Sequence, residues 1–254
     1  MKKDESKELL RLMALATQFD ARVKPNQLVR SKPYPDLSTL RVDSRQHQWE
    51  SLKWSIDQAS EHGMDGLTGL TVALSRIIAA DGLRGLLMVA REHQGCGVSM
   101  ESLLWPAGTV IKGEATTMRD LLQPMEEALV VDTRCTAVIP EPWERRRTIR
   151  ALANLGEKRS WGAWRQDKRN HHGVAWSPWP LVWVDNGNHS TLASLVMGGG
   201  KFKCSEHLDA NALLDAVTTD GVNWIRTDTN QAFWHVESLP MAAIFLIGKH
   251  LAGL

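Results

Sequence analysis

Apolar residues recur every three to four positions through the first hundred residues, then give way after about residue 127 to short β-branched runs between brief helical stretches. Leu9, Leu12, Met13 and Ala16 form one stripe and predict an amphipathic helix over 1–18. Residues 23–45, with Pro25, Pro33 and Pro35, read as a polar connector. Trp49, Leu52, Ile56 and Ala59 share one face and predict a helix over 46–62. Two further helices are expected at 67–80 and 83–93, broken by Asp81-Gly82 and closed by Gly95.

The pattern changes near Trp105-Pro106. A short strand is expected at 109–112, and a helix kinked near Pro124 at 117–128. Strands follow at 129–131 and 136–139, ended by Pro140 and Pro142. Residues 145–155 form a basic helix closed by Gly156. Strands at 181–184, 201–204 and 223–227 then alternate with helices at 189–197, 210–217 and 239–251. The fold class this predicts is α+β: a helical N-terminal region, about 1–126, packed on a smaller α+β region with a mixed sheet, about 127–254. The boundary is soft, and the two regions are allowed to share one core.

Composition narrows the function classes. Of 254 residues, 43% are hydrophobic and 23% charged, the profile of an ordinary globular chain. The net charge is only +1, so no global field draws the protein to nucleic acid or membrane. The three cysteines, Cys96, Cys135 and Cys204, are far apart with no CxxC pair. That disfavours a disulfide framework or a cysteine zinc site and fits a reducing cytoplasm. Acidic residues and Arg11 interrupt the N-terminal apolar run, unlike a secretory signal. The apolar stretch 239–254 is shorter than the roughly 20 residues that span a bilayer, so no membrane partner is expected.

Tryptophan is over-used: 11 Trp against 1 Tyr and 4 Phe. Six lie in one segment, Trp143, Trp161, Trp164, Trp176, Trp179 and Trp183. They suit a Trp-rich core or hinge, and alternatively a wall on which a base or ligand stacks. The same segment is basic: residues 141–171 carry nine Lys/Arg against four acids, a surplus of +5. Such a surplus is either a solvated helix face or a phosphate-binding one.

The most informative stretch runs from Leu181 to Lys203 and reads as strand, Gly-containing turn, helix, glycine run and strand. Gly187, Asn188, His189 and Ser190 fall at the start of the helix, where backbone N–H groups converge and can hold a phosphate or carboxylate. A second cluster of the same flavour, Asp167-Lys168-Arg169-Asn170-His171, precedes it. Both carry Asn and His after an Asp, side chains suited to polar recognition or proton transfer, and equally to capping turns. The spacing of His171 and His189 matches no local metal motif, so a shared site must be made by the fold.

The order Pro-Trp…Arg, helix, strand, Gly187-Asn188-His189-Ser190, helix, Gly-rich turn, strand resembles the ParB/sulfiredoxin-like superfamily over about residues 138–205. That resemblance implies a small α+β domain with a nucleotide or polynucleotide ligand, and activities such as nucleotide hydrolysis, phosphoryl transfer, sulfinic acid reduction or nuclease action. Gly187 matches the motif Gly and His189 the His of the sulfiredoxin branch. Asn188 stands where that branch has its catalytic Cys, which removes support for sulfiredoxin chemistry. Ser190 stands where the motif Arg belongs, so a phosphate fork must come from Arg145, Arg147 or Arg150. The segment 139–200 is more closely similar to an uncharacterised bacterial family that shares Ile-Pro-x-Pro-Trp, Asp-x-x-Asn-His and Gly-Asn-His-Ser.

The leading expectation is a nucleotide- or phosphate-ligand-binding protein with a ParB-like pocket, hydrolytic or phosphoryl-transferring if an enzyme at all. Gly187, Asn188, Ser190, Asn170, Arg145, Arg147 and Arg150 would bind the ligand, and His189 or His171 would act as general acid or base. No cofactor is named and no metal ligand assigned. One alternative is a non-enzymatic regulatory protein of a mobile element or defence locus that binds nucleic acid or a partner protein through its basic Trp-rich face. Another is a metal-dependent hydrolase using His171, His189 and Asp167.

Overall fold

The apolar run Leu181–Val184 is buried on both faces, and the rest of the chain is layered around it. The computed structural model describes residues 44–89 and 98–254. The helix expected over 1–18, nearly all of the connector over 23–45 and the end of the helix expected over 83–93 lie outside the described residues. Contacts divide the chain between Ser44 and Arg45, and all the elements below belong to the unit Arg45–Leu254.

In chain order these are α1 (Arg45–Ser60), α2 (Gly63–Arg84), a π-turn (Gly85–Val89), α3 (Met100–Leu103), β1 (Val110–Lys112), β2 (Thr116–Thr117), α4 (Met118–Leu121), β3 (Gln123–Pro124), β4 (Val130–Asp132), β5 (Ala137–Pro140) and α5 (Arg145–Asn154). Then come β6 (His172–Ser177), β7 (Leu181–Asn186), α6 (Asn188–Met197), β8 (Lys201–Lys203), β9 (Glu206–Asp209), α7 (Asn211–Ala216), β10 (Val217–Thr219), β11 (Asn223–Arg226), β12 (Ala232–His235) and α8 (Leu239–Ala252). The protein is α+β, with helices first and sheets after.

The principal sheet is mixed, in the order β3-β9-β6-β7-β5. β7 runs parallel to β5 and antiparallel to β6, while β6 is parallel to β9. Because side chains alternate across a strand, Leu181 and Trp183 face one layer and Val182 and Val184 the other. On the first face, Ala137, Ile139, Trp176, Leu181 and Trp183 pack with Trp49, Ile56, Leu74, Ile78 and Phe245 from α1, α2 and α8. On the second, Val138, Ala175, Val182 and Val184 pack with Ala151 and Leu155 at α5, Ala193 of α6, Trp164 and Phe202. A strand sandwiched this way reads as an unbroken apolar run rather than an alternating one. The first core cluster draws residues from both sides of position 126.

α8 is apolar on every side because protein surrounds it: Met241, Ala242, Ala243, Ile244, Phe245 and Ile247 are fully buried. Ser238 caps it, its hydroxyl accepting the Met241 N–H at 3.3 Å. No described helix is long and apolar enough to cross a membrane.

Three expectations are corrected. Asp81-Gly82 does not break a helix, because α2 runs on to Arg84 and passes into the π-turn. Gly82 is buried within α2, which runs through it despite the roughly 1 kcal/mol that Gly costs a helix interior. The helix expected over 117–128 is only one turn, Met118–Leu121. Asp120 takes the Thr117 N–H at 2.8 Å to start it, and Gln123-Pro124 then leaves to pair with β9 as an edge strand, where Pro is tolerated. Finally, residues 172–177 form β6, a central strand that the Trp-rich reading of the segment did not resolve.

Candidate functional site

Two βα turns meet at the carboxyl ends of the parallel strands β5 and β7. α5 begins just after β5 and α6 directly after β7, and the two helices pack together on the same face of the sheet. In α/β sheets a crevice outside the carboxyl ends of such strands is where ligands bind. Here it is a cavity of about 570 Å³. Trp143, Arg147, Arg150, Ala151 and Trp161 form one wall, and the turn from Asp185 to Ser190 forms the floor with Asn170 beside it.

The turn is shaped by Gly187. It sits at φ +78°, and a Cβ there would lie 2.2 Å from His171 Cδ2. Only Gly therefore fits both the left-handed backbone and the close approach of the imidazole. No side chain caps α6 at this N-terminus. The first-turn N–H groups of Asn188, His189 and Ser190 consequently lack intrahelical partners at the cavity floor, and the helix dipole favours an anion there.

His171 lies beneath the turn. It is buried, at 6% exposure, and is not part of the cavity wall. The Asp167 N–H donates to its Nδ1 at 2.8 Å, so the imidazole proton is on Nε2 and is donated to Ser190 Oγ at 2.6 Å. Ser190 in turn donates to the Gly187 carbonyl at 3.0 Å. Burial is the main force pushing the His171 pKa below its ordinary value; Asp167 opposes it, and His172 adds a smaller downward push. Both ring nitrogens are thus spent on holding the turn.

His189 has the opposite arrangement. Thr148 uses its one hydroxyl proton on the Glu144 carbonyl, 3.1 Å away. The 3.0 Å contact to His189 is then made by the imidazole Nδ1–H, which leaves Nε2 a bare lone pair. That Nε2 is buried with no hydrogen-bond partner. A buried acceptor without a partner is rare and calls for an explanation. The ring also lies against Trp143, centroids 5.2 Å apart. Burial is the main force lowering the His189 pKa; Arg147 adds to it and Glu144 opposes it.

The basic helix divides. Arg147 lies 4.8 Å over Trp143 and pairs with Glu144 at 2.7 Å, while Arg150 lies 5.7 Å over Trp161. Both line the cavity. Arg145 turns away, its Nε donating to the Leu86 carbonyl at 2.9 Å, outside the cavity lining. The tryptophans divide as well: Trp164, Trp176, Trp179 and Trp183 are core residues, whereas Trp143 and Trp161 are about half exposed at the cavity. The core reading of the Trp-rich segment holds for those four, while Trp143 and Trp161 stand apart from the core, lining the cavity.

Asn188 lines the floor but is largely committed, its Oδ1 accepting the Glu141 N–H at 2.7 Å and so tying β5 to α6. Sequence reasoning named Trp143 and Trp161 only as part of a six-Trp stacking wall and did not single out Thr148 or Asp185 as site residues. For the two Trp the signal was present in their interleaving with Arg. For Thr148 there was none, since its role depends on α5 packing against α6. Among the described residues no group of three or more His, Cys, Asp or Glu is placed to hold a metal ion. His171, with both nitrogens in use, is not free to ligate one.

Comparison with known proteins places this geometry in a family and goes no further. A family model described as "Family of unknown function (DUF6710)" matches residues 7–254, and the chain belongs to that family. No curated protein and no solved structure matches it.

Proposed function

We propose that this DUF6710 protein binds a nucleotide or a related phosphate-bearing ligand in the cleft between α5 and α6. The observation that carries the reading is the convergence, in one cavity, of two arginines, two half-exposed indoles and an uncapped helix N-terminus. Arg147 and Arg150 supply the charge and the forked donors that Ser190 lacks. The α6 amides supply further donors, and Trp143 and Trp161 supply faces for a ring to stack on. A cavity of about 570 Å³ suits one small-molecule ligand.

The ParB/sulfiredoxin-like reading of residues 138–205 is supported by the same turn: a strand, Gly187 in the left-handed region, His189 in the first helical turn, then α6. What departs from it is the anion fork, which on this reading moves from the motif position to α5. If the bound phosphate is hydrolysed or transferred, His189 is the residue with a lone pair to accept a proton, because His171 donates from Nε2.

Isothermal titration calorimetry with inorganic phosphate and with nucleoside mono-, di- and triphosphates tests this reading. Binding is expected, with at least tenfold loss in the Arg147→Ala, Arg150→Ala double variant, since charge-assisted bonds are worth roughly 1.5–3 kcal/mol each. Absence of binding by all of these compounds would overturn it. The exposed Trp143 and Trp161 beside cationic α5 also favour a second reading, in which a single-stranded nucleic acid stacks along this face. A steep log–log fall of oligonucleotide affinity with salt, unmatched by mononucleotides, would select that reading.

A further inference from the structure

The floor of the cleft carries a group that the phosphate reading leaves unexplained. Asp185 lines that floor, and among the described residues its carboxylate makes no hydrogen bond or ion pair. Of the two arginines that line the same cleft, Arg147 bonds to Glu144 and Arg150 lies over the Trp161 ring, and among the described residues neither pairs with Asp185. Partial burial, and then the charge of Glu206, raise the Asp185 pKa, with only His172 opposing. Such a carboxylate repels a phosphate brought against it. It is compatible with an anionic ligand only if it meets a neutral, donor-bearing part of the same molecule. Asn170, beside it in the cleft, likewise has a side chain without a hydrogen-bond partner among the described residues.

Resting on the phosphate-ligand reading above, we propose that Asp185 reads the base of the bound nucleotide and that the base is guanine. An ionised carboxylate is an acceptor only, with two oxygens side by side. Its complement is a pair of adjacent donors. Guanine offers that pair on its Watson–Crick edge, the ring N1–H and the exocyclic amine. Adenine and cytosine each set one exocyclic amine beside a ring nitrogen lone pair, which faces the second carboxylate oxygen unfavourably. Asn170, with a donor and an acceptor, can meet the remaining polar edge of the purine, and Trp143 or Trp161 can cover its face. Phosphates on Arg147 and Arg150 and a base on Asp185 match a ligand that is anionic at one end and presents neutral donors at the other.

The test is a titration series, followed by calorimetry, of the full chain with GMP, GDP, AMP, CMP, IMP, XMP and inorganic phosphate. Guanine nucleotides should bind roughly tenfold to a hundredfold more tightly than adenine or cytosine nucleotides, the range of one bidentate base contact. IMP, lacking the exocyclic amine, should fall between. Asp185→Asn replaces one acceptor by a donor, so it should abolish the guanine preference and gain affinity for XMP, whose oxygen stands where guanine has its amine. Its affinity for inorganic phosphate should not fall, because the change removes a negative charge from the cleft. The gain for XMP guards against a variant that has simply lost its fold. Equal binding of guanine and adenine nucleotides, or an unchanged preference in Asp185→Asn, would overturn the guanine inference while leaving the phosphate reading intact. No binding of any phosphate compound would overturn both.

Discussion

Replacing Gly187 by Ala puts the geometry of the turn to a quantitative test. The substitution pays two separate costs. An L-residue in the left-handed region costs roughly 1–2 kcal/mol. A Cβ 2.2 Å from His171 Cδ2 and 3.0 Å from the Asn170 carbonyl adds an overpacking cost of roughly 1–3 kcal/mol, because His171 is buried and held at both nitrogens. Gly113→Ala is the matched control: its φ is +56° but nothing lies within 4 Å of the added Cβ, so it pays the backbone cost alone. Urea denaturation should therefore show Gly187→Ala about 1–3 kcal/mol less stable than Gly113→Ala. In thermal unfolding that difference is roughly 2–4 °C per kcal/mol for a domain of this size. Repeating Gly187→Ala in a His171→Ala background should remove the steric part and leave the backbone part, a positive coupling between the two sites. If Gly187→Ala and Gly113→Ala destabilise equally, His171 does not support the turn as described, and the account of the cavity floor fails with it.

The pH dependence follows from His171 and His189. Both have folded-state pKa values below the ordinary one, so between the two values the unfolded chain binds more protons. Their contribution is complete above about pH 6.5 and is lost as pH falls below it, at up to about 1.4 kcal/mol per pH unit for each group; His171→Gln should flatten the slope measured by denaturation between pH 7.5 and 5.5, and an unchanged slope would contradict the assignment. Ser190 should resist fluorophosphonate labelling, because His171 Nε2 is a donor to it and cannot accept its proton; a labelled Ser190 peptide in mass spectrometry would refute that polarity. Burial pushes the Cys204 thiol up to about 11, so iodoacetamide at neutral pH should alkylate the exposed Cys135 and leave Cys204 unmodified until the protein is denatured.

Much of the cleft was legible because its residues are close in sequence. The Leu181–Ser190 turn announces itself by an apolar run, a Gly and a polar cluster, and the structure places Asn170, Arg147, Arg150 and the 187–190 turn around one cavity. Arg145 and His171 were equally plausible from sequence but were drawn elsewhere by tertiary contacts. Arg145 meets a carbonyl of the π-turn, and His171 is pulled under Gly187 by the register that pairs His172 with Asn186. β6 was illegible because its residues, His-Gly-Val-Ala-Trp-Ser, owe their strand state to neighbours on both sides rather than to β-branched propensity. The short strands β9, β10 and β12 likewise exist through pairing that no local pattern encodes.

Two Ser–His pairs invite comparison, and distance alone ranks them alike: 2.6 Å for Ser190–His171 and 2.7 Å for Ser177–His207. Proton bookkeeping separates them. The Glu127 carbonyl can only accept, so His207 Nδ1 is its donor at 2.9 Å, and Nε2 then accepts from Ser177. In the Ser190 pair a backbone N–H occupies Nδ1 and reverses the direction, making His171 a clamp for the turn. A serine nucleophile needs its histidine as an acceptor, so the pair at the cleft is the one that cannot activate its serine. The pair with the permissive polarity lies away from the cleft, where His207 ties the loop before β4 to the end of β6; the cavity beside Pro124–Ala128 that His207 lines does not include Ser177. On the proposed phosphate reading, any proton transfer at the cleft would fall to the lone pair on His189, whose Nε2 is buried until the ring moves, and charge stabilisation to the arginines. That polarity argues against acyl transfer, which requires an activated hydroxyl, and is compatible with the proposed phosphate ligand, for which positioning and charge dominate.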